Sequence, residues 1–394
     1  MKNNTLKPNE GLSVGLLASL AVIAGVSVAN LYYCQPLLNL ISKDTGLSEF
    51  QINLMPVFTQ IGYALGLLFI IPMGDLYNRR TTILTCFGVL VCSLLTIALS
   101  SSLTLLLASS FVTGFFSVAP QVLIPFVSQF SRPDEKDRKT GLILSGLLVG
   151  ILGSRVVSGY IGDWLGWRAM YQIAAVMIAV AAVVILKVFP YVEPTFSGKF
   201  TKLMLSIAQL VKNNPKAITY SVRSALIFGA MLGMWACLAF RMKEAPFYDS
   251  SDTIGMLGLC GIAGALTASG VGKFIPRHGV ERINNIGVAL VALAWVVLGL
   301  LQNSYVGIIL GVIIIDIGMQ CVQLSNQSAT MKLCPSAPSR MNTIYMVTYF
   351  IGGSLGTFVA GSMWAAFGWY GAVCSGLGMT FLSVLFSIVM HSKH

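Results

Sequence analysis

Residues 150–167 read GILGSRVVSGYIGDWLGW, and residues 352–369 read GGSLGTFVAGSMWAAFGW. Gly150, Gly159, Gly166 and Trp167 of the first stretch recur as Gly352, Gly361, Gly368 and Trp369 of the second, each 202 residues further on. Both stretches are apolar and rich in small residues, a composition that lets helices approach closely inside a bilayer. A pattern that returns after half the chain points to one structural unit used twice.

Composition agrees with a bilayer as the solvent. The 394 residues are 56% hydrophobic and only 10% charged, with a mean hydropathy of +0.80. A water-facing shell needs roughly a quarter of its residues charged, so a soluble enzyme, a nucleic-acid binder and a disordered scaffold are all excluded. Backbone amides in hydrocarbon must be satisfied within their own segment, so each apolar run of about 20 residues is read as one spanning helix. Working outward from residue 150 gives twelve: 12–37, 50–73, 81–100, 103–128, 140–162, 168–190, 217–240, 252–272, 283–302, 305–328, 341–365 and 370–390. The first is longer than a signal-peptide core and continues through Asn30, Tyr32, Tyr33, Gln35 and Pro36 without a small-residue cleavage site, so it stays as a span.

The expected fold is an all-α polytopic membrane protein of two pseudo-symmetric six-helix bundles, residues 1–190 and 217–394. A cytoplasmic linker loop, 191–216, joins them and carries Lys199, Lys202, Lys212 and Lys216. The chain holds 25 Lys plus Arg against 14 Asp plus Glu, a net charge of +11. Alternate connections divide them unevenly. Lys2, Lys7, Arg79, Arg80, Arg132, Lys136, Arg138, Lys139, Lys187, the four linker lysines, Lys273, Arg277, Arg282, Lys332, Arg340 and Lys393 fall on one side. Lys43, Arg168, Arg241 and Lys243 fall on the other, and Arg155 and Arg223 lie within spans. The positive-inside rule then puts both termini in the cytoplasm. The eight cysteines form no CxxC and have no histidine cluster beside them, so they read as packing residues, with no metal and no cofactor expected. Trp164, Trp167, Trp364 and Trp369, near span ends, read as interface anchors.

Charges at mid-bilayer cost at least a few kcal/mol on insertion scales, which makes each one a functional candidate. Asp316 stands about 11 residues into the tenth span and is the sole central carboxyl. Gln320, Gln323 and Gln327 follow at i+4, i+7 and i+11 on the same helical face, a stripe that suits a water-lined cavity. Asp316 is either a proton-carrying group exposed alternately to two compartments or a structural acid paired with a neighbouring helix. Arg155 lies deep in the fifth span, whereas Arg223 is near the start of the seventh and within snorkelling reach of the headgroups. Three roles stand open for Arg155: neutralising Asp316, binding an anionic solute group, or donating to helix carbonyls. Asn30 with Tyr33, Gln60 with Tyr63, and Asn342 with Tyr345 and Tyr349 are further candidates for a solute cavity, against a bland alternative of interhelical packing. Gly270-Val271-Gly272-Lys273 lacks the spacing and the Ser/Thr of a phosphate loop.

After the second span, Gly74-Asp75-Leu76-Tyr77-Asn78-Arg79-Arg80 is similar to the loop signature G-x-L-a-D-R-x-G-R-[RK] of the major facilitator superfamily. Asp75, Arg79 and Arg80 match it, while Ile71, Leu76 and Asn78 stand at its Gly, Arg and Gly. The loop after the eighth span matches at Gly272, Arg277 and Gly279, with Pro276 at the Asp position. The fifth-span signature G-x-x-x-G-P-x-x-G-G keeps small residues at Gly150, Ser154, Ser158 and Gly159, with Arg155 in place of the proline. Ser110 occupies the fourth-span arginine position. Over essentially its whole length the chain resembles the superfamily's twelve-helix drug:proton antiporters and sugar-efflux-like bacterial members. That resemblance implies a monomeric secondary transporter of the bacterial inner membrane. It implies export of a small organic solute coupled to protons, with Asp75, Arg79, Arg80 and Arg277 as a cytoplasmic gate. Import or uncoupled facilitation is the near alternative, and a solute-binding receptor the distant one. Lipid is the surrounding partner, and nucleic acid is not one.

Overall fold

The computed structural model describes residues 11–190, 200–334 and 337–391, and among these it is helical throughout, with no strand. Among the described residues nine helices are long and apolar enough to cross a membrane, and two shorter apolar helices, Val14–Ala29 and Ser251–Thr267, join them. The last long helix, Pro338–His391, holds two spans, because Gly368 breaks it with φ 58° and ψ −146°. Twelve crossings result, as the apolar runs predict. Gly166 divides the fifth and sixth spans in the same way, with φ 85° and ψ 157°. Only glycine enters these regions without a steric penalty, so the 202-residue repeat marks two equivalent hinges.

The spans are Val14–Ala29, Glu49–Leu76, Arg79–Leu99, Leu103–Phe130, Lys136–Leu165 and Trp167–Val188 in the first half. In the second they are Pro215–Arg241, Ser251–His278 with internal breaks, Val280–Leu300, Tyr305–Lys332, and the two parts of Pro338–His391. Glycines set the closest crossings. A Cβ at Gly25 of the first span would lie 2.6 Å from the Gly146 carbonyl oxygen of the fifth, and a Cβ at Gly229 of the seventh would lie 2.5 Å from that of Gly352 in the eleventh. Such backbone contact replaces the hydrophobic driving force that lipid cannot supply.

Three spans are broken, which hydropathy alone does not report. The first helix ends at Ala29, and a 3-10 turn, Gln35–Leu37, with a proline near its start leads into a short helix, Leu38–Thr45. Proline has no amide proton to continue the ladder. Asn30 aids the break by donating to the Val26 and Ser27 carbonyls. The fourth span is interrupted between Phe116 and Ala119. The eighth passes from Ser251–Met256 through a 3-10 turn, Leu257–Cys260, into Gly261–His278.

The linker expected as a loop contains a helix, Phe200–Asn213. Met204, Ile207, Leu210 and Val211 recur at helical spacing and pack on Ala217, Met341 and Ile344 of the second half, while Phe200 stacks on Phe69 of the first half at 6.5 Å. Residues 191–199 lie outside the described residues. Of the tryptophans read as interface anchors, only Trp164 is exposed, at 78%. Trp167, Trp364 and Trp369 are buried, and their indole N–H groups donate to Asp44, Glu49 and the Leu298 carbonyl. A protein acceptor within reach removes the reason to seek the headgroups.

Candidate functional site

The two halves meet along two seams related by the 202-residue repeat. In the seam between the second and eleventh spans, Asn53 donates to the Thr357 carbonyl at 3.1 Å and Ser354 donates to the Val57 carbonyl at 3.2 Å. Trp364 donates to Glu49 at 2.8 Å nearer the span ends. In the seam between the fifth and eighth spans, the carboxylate of Asp163 accepts from the backbone amides of Ser251 and Asp252 at 3.1 and 2.8 Å. Gly255 stands 202 residues after Asn53, and a Cβ on it would lie 2.5 Å from the Arg155 carbonyl oxygen. These contacts join the halves at one end of the molecule, the end opposite Arg79, Arg80 and the linker.

The eighth span owes its shape to Gly255, Gly258, Gly261 and Gly264, a glycine at every third residue. A 3-10 helix has three residues per turn, so around Leu257–Cys260 this spacing collects the glycines on one edge. That bare edge lies between the two central charges. A Cβ at Gly258 would be 2.9 Å from the Arg155 Cβ; one at Gly261 would be 3.2 Å from an Asp316 carboxylate oxygen, and one at Gly264 would be 3.2 Å from the Asp316 Cβ. The spacing is plain in the sequence, but a search for 3.6-residue periodicity passes over it.

Arg155 is 4% exposed. Its Nε donates to Gln35 Oε1 at 2.8 Å, and the guanidinium lies over the ring faces of Trp235 at 4.2 Å and Tyr32 at 5.0 Å. The broken first span puts Tyr32 and Gln35 there. Asp316, 9% exposed, makes no hydrogen bond and no ion pair within 4 Å among the described residues. Arg155 is the cation that interacts with it electrostatically. Of the roles open to Arg155, donation to helix carbonyls is not what the guanidinium does here, and the ion pair with Asp316 is not closed.

The other candidates divide. Gln320, Gln323 and Gln327 of the stripe are half-buried, with Gln327 donating to Asn342 at 2.8 Å. Tyr345 donates to the Gln323 carbonyl at 3.0 Å. Tyr349 stacks on Phe228 at 3.8 Å and lies 5.8 Å from Tyr345, while Tyr63 meets Phe350 edge-on at 4.5 Å. Asn30, Tyr33, Gln60, Tyr63, Tyr345 and Tyr349 are all buried. The side-chain oxygens of Asn30 and Gln60 have no hydrogen-bond partner among the described residues. Arg79 donates to Gln129 at 3.0 Å and Arg80 to the Leu186 carbonyl, both within the first half. Arg277 is exposed on the last turn of the eighth span. The side chains of Asp75 and Pro276 lie outside the described residues.

Arg223 does not snorkel. It is 2% exposed, and its two Nη atoms donate to the two carboxylate oxygens of Glu281 at 2.7 and 3.1 Å, with Nε on Asn326. Asn326 in turn donates to Asn284 at 2.8 Å. Sequence reading missed this network because Glu281 and Asn326 lie 58 and 103 residues away. A cavity of about 1000 Å³ opens beside it, lined by Lys216, Tyr220 and Asn285 and by exposed apolar residues such as Phe381 and Ile388. It faces outward from the bundle and touches neither Arg155 nor Asp316, so the central pair is the better candidate site.

Residues 18–357 match the model of the Major Facilitator Superfamily. The chain belongs to the major facilitator superfamily. Its relatives within that superfamily include the uncharacterized transporter YgaY of Escherichia coli O157:H7, 32% identical over 379 residues and 96% of each chain. The probable transporter SCO4007 of Streptomyces coelicolor is 30% identical over 92% of this chain and 84% of its own. Among solved structures, the nucleoside transporter NupG superposes with a TM-score of 0.75 at 14% identity, over 96% of this chain and 99% of that one. A bacterial homologue of the lysosomal transporter Spinster, inward-facing and unoccupied, gives 0.74 at 16% identity, over 95% and 94%. At such identities the two structures speak for the fold alone. The chain is a multi-pass membrane transporter of the major facilitator type, a family of carriers that are generally not enzymes.

Proposed function

We propose that the protein is a proton-coupled secondary transporter of the bacterial inner membrane. It moves a small organic solute by alternating access, as a monomer with both termini in the cytoplasm, and exports its solute. Asp316 carries the proton, and half-buried Gln320 and Gln323 of the stripe, with Asn342 of the eleventh span, border the path. Asp75, Arg79, Arg80 and Arg277 act at the cytoplasmic gate. One observation carries the reading: among the described residues Asp316 is the one buried carboxylate, without a hydrogen-bond partner, midway along a span and packed against Gly261 and Gly264 of the eighth. Burial without partners penalises a charged carboxylate, so a change of access alone suffices to load and release a proton. The hydrogen bonds described across the two seams lie toward one end of the molecule, which suits rocking about a central site. Asp316 beside Arg155 also favours uptake with a proton as the second reading, since neutralising the acid leaves a net positive site for a solute.

The test is purified protein in liposomes under an imposed pH gradient, with solute flux and internal pH followed together. Asp316→Asn is expected to abolish pH-driven flux, at least 100-fold, while folding and membrane insertion persist. Unchanged pH-driven flux in that variant removes the coupling role.

A further inference from the structure

Two buried arginines show what a filled and an unfilled guanidinium look like in this molecule. On Arg223 both Nη atoms are taken by the two oxygens of one carboxylate, at 2.7 and 3.1 Å. On Arg155 only Nε has a partner, Gln35, and no described group accepts from either Nη. Arg155 is nonetheless 4% exposed, and its guanidinium lies over the ring faces of Trp235 and Tyr32. A buried cation is as a rule paired with an anion, and the planar fork of a guanidinium matches a carboxylate with two parallel hydrogen bonds. Asp316 does not fill that place, because it forms no ion pair within 4 Å and rests instead on Gly261 and Gly264.

We propose that the solute is a small organic carboxylate with an aromatic or flat apolar body. Its carboxylate takes the two free Nη atoms of Arg155, as Glu281 takes those of Arg223. Tyr32 and Trp235 bound the apolar part, Gln35 holds the guanidinium in register through Nε, and the glycine edge of the eighth span keeps that side free of side chains. The inference rests on the transport reading for the site's location and adds the class of solute.

The experiment is equilibrium binding to the full-length protein in detergent, with no gradient imposed. The probes are benzoate, phenylacetate and 2-naphthoate, set against their amides and benzylamine. At least one acid is expected to bind 10-fold or more tightly than its own amide, with benzylamine the weakest. Arg155→Gln should erase the gap between acid and amide. Arg155→Lys, which keeps the charge and loses the fork, should weaken the acid about 10-fold and leave the amide unchanged. Gln35→Glu, which offers Arg155 an internal carboxylate, should weaken the acid at least 10-fold in a chain whose packing is undisturbed. A panel in which no acid binds, or in which amides or benzylamine match the acids, overturns the proposal. So does a gap that survives both Arg155→Gln and Gln35→Glu. Because the readout needs no proton flux, loss of coupling at Asp316 leaves it standing, whereas an uncharged solute carried with protons preserves the transport reading and sinks this one.

Discussion

Along the second and eleventh spans the halves are joined by neutral hydrogen bonds, from Asn53 to Thr357 and from Ser354 to Val57. Along the fifth and eighth spans the same repeat positions are filled differently. Arg155 stands 202 residues before Thr357 and Gly255 stands 202 after Asn53; beside that seam, Asp316 of the tenth span stands 202 after Gly114 of the fourth. Gly114 packs directly on the backbone of Thr59 in the second span, with no room for a side chain. Duplication supplied one plan of backbone contact twice. In one copy the seam is stitched by amide and hydroxyl groups; in the other, glycines strip the eighth span bare and leave room for two opposite charges. A charge that no neighbour neutralises in a bilayer protein is a functional candidate by default, so the asymmetry between the seams marks out Arg155 and Asp316 as candidates better than either seam alone.

That contrast can be broken at the glycine edge. Gly258→Leu would push on Arg155, whose Cβ and Cδ stand 2.9 and 3.2 Å from the added Cβ. Overpacking costs about 1–3 kcal/mol, and here it falls on the placement of the guanidinium. Flux in liposomes is expected to fall to near background while the purified protein still elutes as a single folded species. Normal flux would mean that the bare edge has no bearing on the site.

The contrast sharpens by moving to the buried arginine that is fully paired. Glu281→Gln leaves Arg223 without its carboxylate. Breaking a fully buried ion pair costs about 3–5 kcal/mol, and because the Glu281 side chain is 52% exposed solvent screening reduces this to about 2 kcal/mol. Thermal unfolding in detergent should therefore start several degrees lower, with solute affinity unchanged. An affinity loss larger than the stability loss would place Arg223 in the transport site and erase the distinction between the arginines. The smallest effect belongs to the neutral seam. Asn53→Ala removes one hydrogen bond, worth about 1 kcal/mol, from the joined end. Spin labels or cross-links across that end should report opening about five-fold more often, and no change would mean that Ser354 and Trp364 hold the seam without it.

Much of the architecture was legible because hydropathy counts residues and a bilayer has fixed thickness. Twelve runs became twelve crossings, and the repeated Gly166 and Gly368 became matched hinges with positive φ. Asp316 and Arg155 stood out for the same reason, each a charge where lipid forbids one. What stayed hidden depended on turns and on distant pairing. The breaks at Asn30, Ser117 and Leu257 keep the apolar character of their spans, so nothing in a hydropathy profile marks them. The linker helix at Phe200–Asn213 hid because it is amphipathic and too short to span a bilayer. Tyr349 lies against Tyr345 and stacks on Phe228, and Tyr63 meets Phe350 edge-on; Phe228 and Phe350 are partners from other helices that a single helix face cannot reveal.

The short 3-10 turn at Leu257–Cys260 also sets a mechanical property. Rewinding its four residues to α pitch would shorten the span by about 2 Å and turn everything beyond it by about 80°, given rises of about 2.0 and 1.5 Å and turns of about 120° and 100° per residue. Such a rewinding would act as a screw thread, shifting Gly261 and Gly264, which pack on the acid, relative to Gly258, which packs on the arginine.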